Sequence, residues 1–204
     1  MAELIDPVYF ENLAGMNPEA VCKRALCDYD PVKECYTLDV WGDLFEICPH
    51  RLSVTCVRQR HNRLHAWFDL FAIHYLLGAA LSPLAGQWVS EKDLPGGATF
   101  FRGPHRSPAD LITGRFNDDS RAFADLCLKY SGEPLDMADA AFAFQIAPRI
   151  RAAVLYWEGD EEFAAESRLL FDQNISAHLA LDVIYAMAVG ICKRLGKSDL
   201  PLTS

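Results

Sequence analysis

Between about Asn62 and Leu81 the chain is apolar on almost every side, and this stretch most limits what it can fold into. Trp67, Leu70, Phe71, Leu77 and Leu81 recur close to helical spacing. A helix with no polar stripe has no face to give to water, so it is expected to be central and largely buried, Leu77 included. The run from Trp67 to Leu81 contains Asp69 and His74 and is too short to cross a bilayer, so no membrane role is expected. Ser82-Pro83 is expected to end the helix, because the residue before a proline is pushed toward extended backbone.

A buried helix needs other elements to wrap it, and the flanking segments supply them. Asn17-Pro18-Glu19 is a helix start, with a capping side chain, a proline suited to the first turn and an acid that complements the helix dipole. That helix is expected to end near Leu26. In "CYTLDVWGDLFEICP", Leu38 and Val40 alternate with Thr37 and Asp39, and Gly42-Asp43 marks a turn, which reads as a β-hairpin. A loop closes at Gly96-Gly97, and Ser107-Pro108-Ala109-Asp110 has the pattern of a capping box opening a short helix. A further helix is expected from about Asp118 to Tyr130, with Phe123, Leu126, Cys127 and Tyr130 on one face and Gly132 as its stop.

"AAFAFQIAPRIRAAVLYWEG" reads as two strands around Pro148-Arg149, and "RLLFD" as a third. A last helix is expected from Ser176 to Leu195, with Lys193 and Arg194 in its final turn and Gly196 after it. Strands and helices are grouped and do not strictly alternate, which predicts an α+β fold. The expectation is one domain over 1–204, with an N-terminal helical segment over 1–28. A small, mostly antiparallel sheet or sheets would pack against the central helix and several further helices.

The formal net charge of -9 disfavours nucleic acid, since a duplex-binding surface needs excess Lys and Arg. The first residues, Met1 to Asp6, have no basic start and no apolar core, so no secretory signal is expected and the localisation expected is cytoplasmic. Seven cysteines without a secretory context point to reduced thiols and not to a disulfide framework.

Three longer blocks carry a resemblance. "IHYLLGAALSPLAGQWVSEKDLPGG", "GEPLDMADAAFAFQIAPRI" and "VLYWEGDEEFAAESRLLFDQNISAHL" are similar to signature blocks of the domain of unknown function family 3786, found mainly in anaerobic bacteria and archaea. The family-like core covers about 30–195. Glu91-Lys92-Asp93 departs from the usual apolar-then-acidic run ahead of the glycine pair. Some relatives carry a cysteine-rich iron–sulfur segment before the domain. The resemblance implies a cytoplasmic protein of anaerobic redox or cofactor metabolism, and it implies no particular reaction.

Four groups of residues have chemistry to offer. Cys22, Cys27, Cys35, Cys48 and Cys56 supply thiolates, which bind soft metals, but no C-x-x-C or ferredoxin spacing is present and buried thiols are the plainer expectation. His61, His65 and Asp69 share a helix face, yet Arg58, Arg60 and Arg63 repel a cation and position 62 is Asn, which removes the zinc-protease base. No metal is therefore assigned. His74 lies inside the apolar helix, where it is either a hydrogen-bonded core histidine or a ligand or proton donor in a pocket. Glu158, Asp160, Glu161 and Glu162 form an abrupt acidic turn, either a solvated hairpin tip or a site facing a cation. Strand parity puts Glu161 on the side of Phe163 and so inward, toward His74.

The leading expectation is a protein that binds a small-molecule ligand or cofactor of unknown identity. Its pocket would lie between the His74 helix and the C-terminal strands, with Trp88, Trp157 and Phe163 as apolar walls. Glu161 would face in, and Ser176 and His178 would stand at the start of the last helix, where free N–H groups attract anions. The alternatives are a small-molecule enzyme, using His74 and a carboxylate of the 158–162 turn as acid and base, and an interaction module that docks on a redox protein partner.

Overall fold

The computed structural model describes residues 5–60 and 64–197. The chain opens on two short helices, α1 (Pro7–Ala14) and α2 (Pro18–Ala25), that start in the same way. Asp6 accepts from the Val8 N–H and Asn17 from the Ala20 N–H, and a proline fills the first helical position, where no donor is missed. α2 ends at Leu26, as its sequence predicts.

An antiparallel meander follows, β1 (Asp28–Asp30), β2 (Cys35–Val40), β3 (Asp43–Cys48) and β4 (Ser53–Arg58), side by side in that order. The β2–β3 turn is Trp41-Gly42, one residue earlier than Gly42-Asp43, with φ of 50° and 80°. Two left-handed residues are what a two-residue hairpin needs to match strand twist. Glycine adopts this freely, whereas Trp41 is held in it by its surroundings. Its N–H donates to the Ile146 carbonyl, its indole Nε1 donates to the Tyr130 carbonyl, and its ring packs against Phe68 and Phe144.

A second antiparallel sheet has the order β5 (Trp88–Val89), β9 (Glu166–Asp172), β8 (Ile150–Trp157), β7 (Ala140–Ala147), β6 (Glu133–Pro134). β7 and β8 are apolar on both faces for a physical reason. Phe142, Phe144, Ala152, Val154 and Tyr156 join the main core, while Ala141, Ala143, Ala153 and Leu155 form a second cluster on the opposite face with Trp88, Trp157 and Leu170. The fold is α+β, as the grouping of elements predicts.

The central helix, α3 (Trp67–Gly78), is shorter than the stretch over 62–81, of which residues 62 and 63 lie outside the described residues. Its buried side is Phe68, Phe71, Ala72, Ile73, Tyr75 and Leu76, while Leu70 and Leu77 are half-buried and Leu81 is exposed. The helix stops before Ser82-Pro83 because a tertiary contact intervenes. The Gly78 backbone lies so close to the His178 carbonyl that a Cβ there would come within 2.6 Å of the oxygen. The following segment is then held by hydrogen bonds to its backbone. Arg24 donates to the Leu77 and Ala79 carbonyls, Arg149 to the Ser82 carbonyl, and Asp172 accepts from the Ala85 and Gly86 N–H groups.

The remaining helices are α4 (Gly97–Phe100), α5 (Asp110–Phe116), α6 (Ser120–Lys129) and α7 (Leu181–Gly196). Two expected starts are corrected. Ser107 does not cap α5, whose cap is Ala109, and its hydroxyl instead stands 3.7 Å from the Cys192 thiol. α7 begins at Leu181 and not at Ser176, because Asp172 accepts from the Asn174 N–H and winds 173–177 into a separate 3-10 turn. α6 matches its expected face, but the left-handed residue after it is Ser131, at φ 60°, and not Gly132.

α3 packs along α7, where Gly190 lies under the Phe68 ring. Leu76→Ala is expected to cost about 2–5 kcal/mol, the range for a fully buried leucine, and Leu77→Ala clearly less. Urea unfolding of the two variants side by side checks the order.

Candidate functional site

The β2–β3 hairpin positions the first pair of thiols. Its turn fixes the register from Val40↔Asp43 to Tyr36↔Ile47, and one step further sets Cys35 opposite Cys48. Counted from a two-residue turn this is a non-hydrogen-bonded position, where Cα atoms approach to about 4.5 Å. The two Cα atoms are 4.3 Å apart and a disulfide joins the side chains. The expectation of reduced thiols throughout is corrected for this pair. Both cysteines are buried under Arg51, whose Nη2 donates to Cys35 Sγ at 2.7 Å and Cys48 Sγ at 2.9 Å. Arg51 comes from the short 3-10 turn Pro49–Arg51 that ends β3, and it also lies 4.0 Å from Glu46 Oε1. Glu46 is paired on its other side with Lys33 at 3.2 Å.

A second pair stands at the end of α2, where Cys22 Sγ and Cys27 Sγ are 3.9 Å apart and unbonded. Burial pushes both thiols up, Cys27 far up, and the nearby Asp28 charge adds to the effect. They are neutral thiols at neutral pH and so poor nucleophiles as they stand.

The inward face of the same hairpin borders a cleft of about 500 Å³. Val54 and Cys56 of β4 pair with Ile47 and Phe45, so by strand alternation they point to the side opposite the disulfide. Phe10 from α1 and Leu64 add apolar wall, and Gln59 and Asp69 supply polar groups at the rim. Volume and lining fall within the usual range for small-ligand sites.

The residues singled out from sequence lie in separate places. His74, half-buried on α3, packs its ring against Tyr9 at 4.3 Å; burial lowers its pKa and the Asp182 charge opposes that shift. Trp88 and Trp157 lie on the outer face of the second sheet, away from the main core to which α3 belongs, and carry Arg151 and Arg168 over their rings. They do not wall a pocket against His74.

Phe163 is 70% exposed and Glu161 is exposed, so neither faces inward. The parity argument fails because the strand resumes only at Glu166. Asp160 instead accepts from the N–H groups of Glu162 and Phe163, and Glu158 accepts from the Ser120 N–H at the start of α6. The acidic turn is a hairpin tip that secures a helix end.

Ser176 lies in the 3-10 turn, not at a helix start, and its buried hydroxyl has no hydrogen-bond partner among the described residues. His178 is 2% exposed, and its Nδ1 accepts from the Ala80 N–H at 3.1 Å. Its proton is thereby assigned to Nε2, a buried atom that has no partner among the described residues. Burial lowers the His178 pKa, the Arg149 charge lowers it further and Asp172 partly offsets this. Of the proposed histidine cluster, His61 lies outside the described residues. His65 Nδ1 accepts from the Trp67 N–H, and its Nε2 is 3.1 Å from Lys193 Nζ, a cation where a metal would have to bind.

A family model described as Domain of unknown function (DUF3786) matches residues 17–194. The chain belongs to the DUF3786 family. No curated protein and no solved structure matches it. The DUF3786 region takes in both cysteine pairs, β3 and β4 along the cleft, and His178, whereas Phe10 precedes it. Among the described residues, no helix is long and apolar enough to cross a membrane.

The Cys35–Cys48 pair follows from hairpin register only once the turn is placed at Trp41-Gly42, since counting from Gly42-Asp43 sets Cys35 opposite His50. The cleft had no such signal, because its walls come from α1, β3, β4 and the start of α3.

His65, His74 and His178 all have depressed pKa values in the fold, so the unfolded chain binds more protons than the native one as they titrate. Their contribution is fully present above the ordinary histidine pKa of about 6.5 and is lost as pH falls toward the folded values. Stability is therefore expected to drop between neutral pH and mildly acid pH. His178→Asn, which keeps an acceptor for the Ala80 N–H, is expected to flatten that slope. Urea midpoints measured across this range check it.

Proposed function

We propose that this DUF3786 protein is a cytoplasmic binding protein for a small ligand or cofactor of redox metabolism, with the cleft between α1 and β3–β4 as its seat. The observation that carries this reading is the cleft itself, about 500 Å³, with an apolar floor of Phe10, Phe45 and Val54 and a few polar groups. The Cys56 thiol on its wall supplies a soft, polarisable contact. Two cysteine pairs on the surrounding elements support the redox setting.

A second reading, docking on a redox protein, is favoured by one feature, the half-buried Trp88 and Trp157 under Arg151 and Arg168 on the outer sheet face. Tryptophan and arginine are the residues that most often anchor interfaces.

Native mass spectrometry of protein purified without oxygen tests the first reading. A low-mass adduct is expected on the wild-type chain and is expected to be lost in Val54→Trp, which fills the cleft, with circular dichroism unchanged. The mass of the bare chain alone, before and after incubation with a small-molecule extract, overturns it.

A further inference from the structure

The outer face of the hairpin holds a third group beside the two bonded sulfurs. Cys35 Sγ, Cys48 Sγ and a Glu46 carboxylate oxygen all lie within 4.8 Å of one another. Strand geometry makes this a stable juxtaposition. Cys35 and Cys48 are opposite each other across β2–β3, and Glu46 is two residues before Cys48, on the same face. Tetrahedral zinc binds sulfur at about 2.3 Å and carboxylate oxygen at about 2.0–2.2 Å, which sets ligand atoms about 3.5–3.8 Å apart. With the S–S bond broken, rotation of two side chains on fixed strands reaches that spacing.

We propose that reduction of the Cys35–Cys48 disulfide turns this face of the hairpin into a binding site for a soft or borderline divalent cation such as zinc. Cys35, Cys48 and Glu46 are the protein ligands. A dithiol reductant breaks the S–S bond, gives two electrons and two protons to the cysteines, and closes into its own disulfide. The cation then displaces both thiol protons and binds two thiolates and the carboxylate. That ligand set carries three negative charges, of which the divalent ion offsets two.

Arg51 is the cation that the metal ion must displace from the sulfurs. Its guanidinium, already bonded to both sulfurs and close to Glu46, is placed to balance the remaining charge. Its side chain is 58% exposed, so it can withdraw to admit the ion without disturbing the core. Lys33, bonded to Glu46 in the oxidised state, must release one carboxylate oxygen. Oxidation therefore removes both sulfur ligands and leaves the carboxylate to its two cations, and the same three residues hold either a disulfide or a metal. The pair Cys22 and Cys27 is a poorer candidate, because no group of three potential ligands forms around it among the described residues.

The test uses the full chain with Cys22, Cys27 and Cys56 replaced by serine, so that the remaining free thiols, Cys127 and Cys192, are buried. The chain is reduced with dithiothreitol, desalted without oxygen and titrated with zinc, and with cadmium for its sulfur-to-metal charge-transfer band. One zinc per reduced chain and none per oxidised chain is the expected result by native mass spectrometry. Glu46→Gln is expected to weaken zinc by at least the roughly 10–100-fold that loss of an outer-shell partner costs. Cys35→Ser, which removes one of the two thiolates, is expected to at least halve the cadmium band. Retention of no zinc by the reduced chain, or equal retention by the Cys35→Ser chain, overturns the proposal. Thiol titration of the denatured wild type tests the switch itself: five thiols are expected before reduction and seven after, and seven before reduction overturns it.

Discussion

Trp41 occupies a turn position whose backbone conformation suits glycine, and the contacts that hold it there join most of the molecule. Its N–H bonds to β7 through the Ile146 carbonyl, which ties the end of the first sheet to the second. Its indole donates to the Tyr130 carbonyl at the end of α6 and packs on Phe68 of α3 and Phe144 of β7. The Arg194 guanidinium of α7 lies 4.6 Å from the indole and 4.5 Å from the Tyr130 ring. A buried aromatic with one polar edge suits such a junction, because it satisfies its N–H while filling volume. The hairpin that carries both candidate sites is anchored through this one side chain.

The two candidate sites follow from the alternation of a β-strand. Side chains one residue apart on β3 point to opposite faces, so Phe45 and Ile47 build the cleft side and Glu46 and Cys48 the outer side. The two-residue turn thus sets the cross-strand thiol pair, and β3 gives its other face to the cleft. The second sheet differs, since both faces of β7 and β8 carry apolar contacts, one in the main core and the other in the cluster with Trp88 and Trp157.

Irregular backbone near α3 is held by polar side chains drawn from across the sequence. Arg24, Arg149, Asp172 and His178 each make at least one hydrogen bond to the backbone of residues 77–86. A segment without its own helix or ladder is fixed in place by such partners, which satisfy backbone groups that no neighbouring strand or turn takes up. His178 is thereby explained as a structural acceptor with one ring nitrogen left over, and its place beside Gly78 accounts for the early end of α3.

Features with local causes were legible from the residues alone. The α2 cap at Asn17-Pro18, the hairpin of β2 and β3, the two long strands around Pro148-Arg149 and the buried face of α6 each depend on neighbours a few positions away. The α+β grouping follows from them. Boundaries and site geometry were not legible, since distant contacts decide them. α3 ends against the His178 carbonyl, α7 starts late because Asp172 captures the Asn174 N–H, and Trp88 and Trp157 lie on the far side of a sheet from His74. The inward Glu161 required a strand that begins only at Glu166. Sequence by itself determined the type of the longer helices and strands, because capping, turn chemistry and periodicity act over one or two turns of chain, whereas the short strands β1, β4, β5 and β6 carried no such signal. Only the tertiary structure decided which polar groups meet, because an interior hydrogen bond or a cleft wall is chosen by whichever element packs there, however far along the chain it lies.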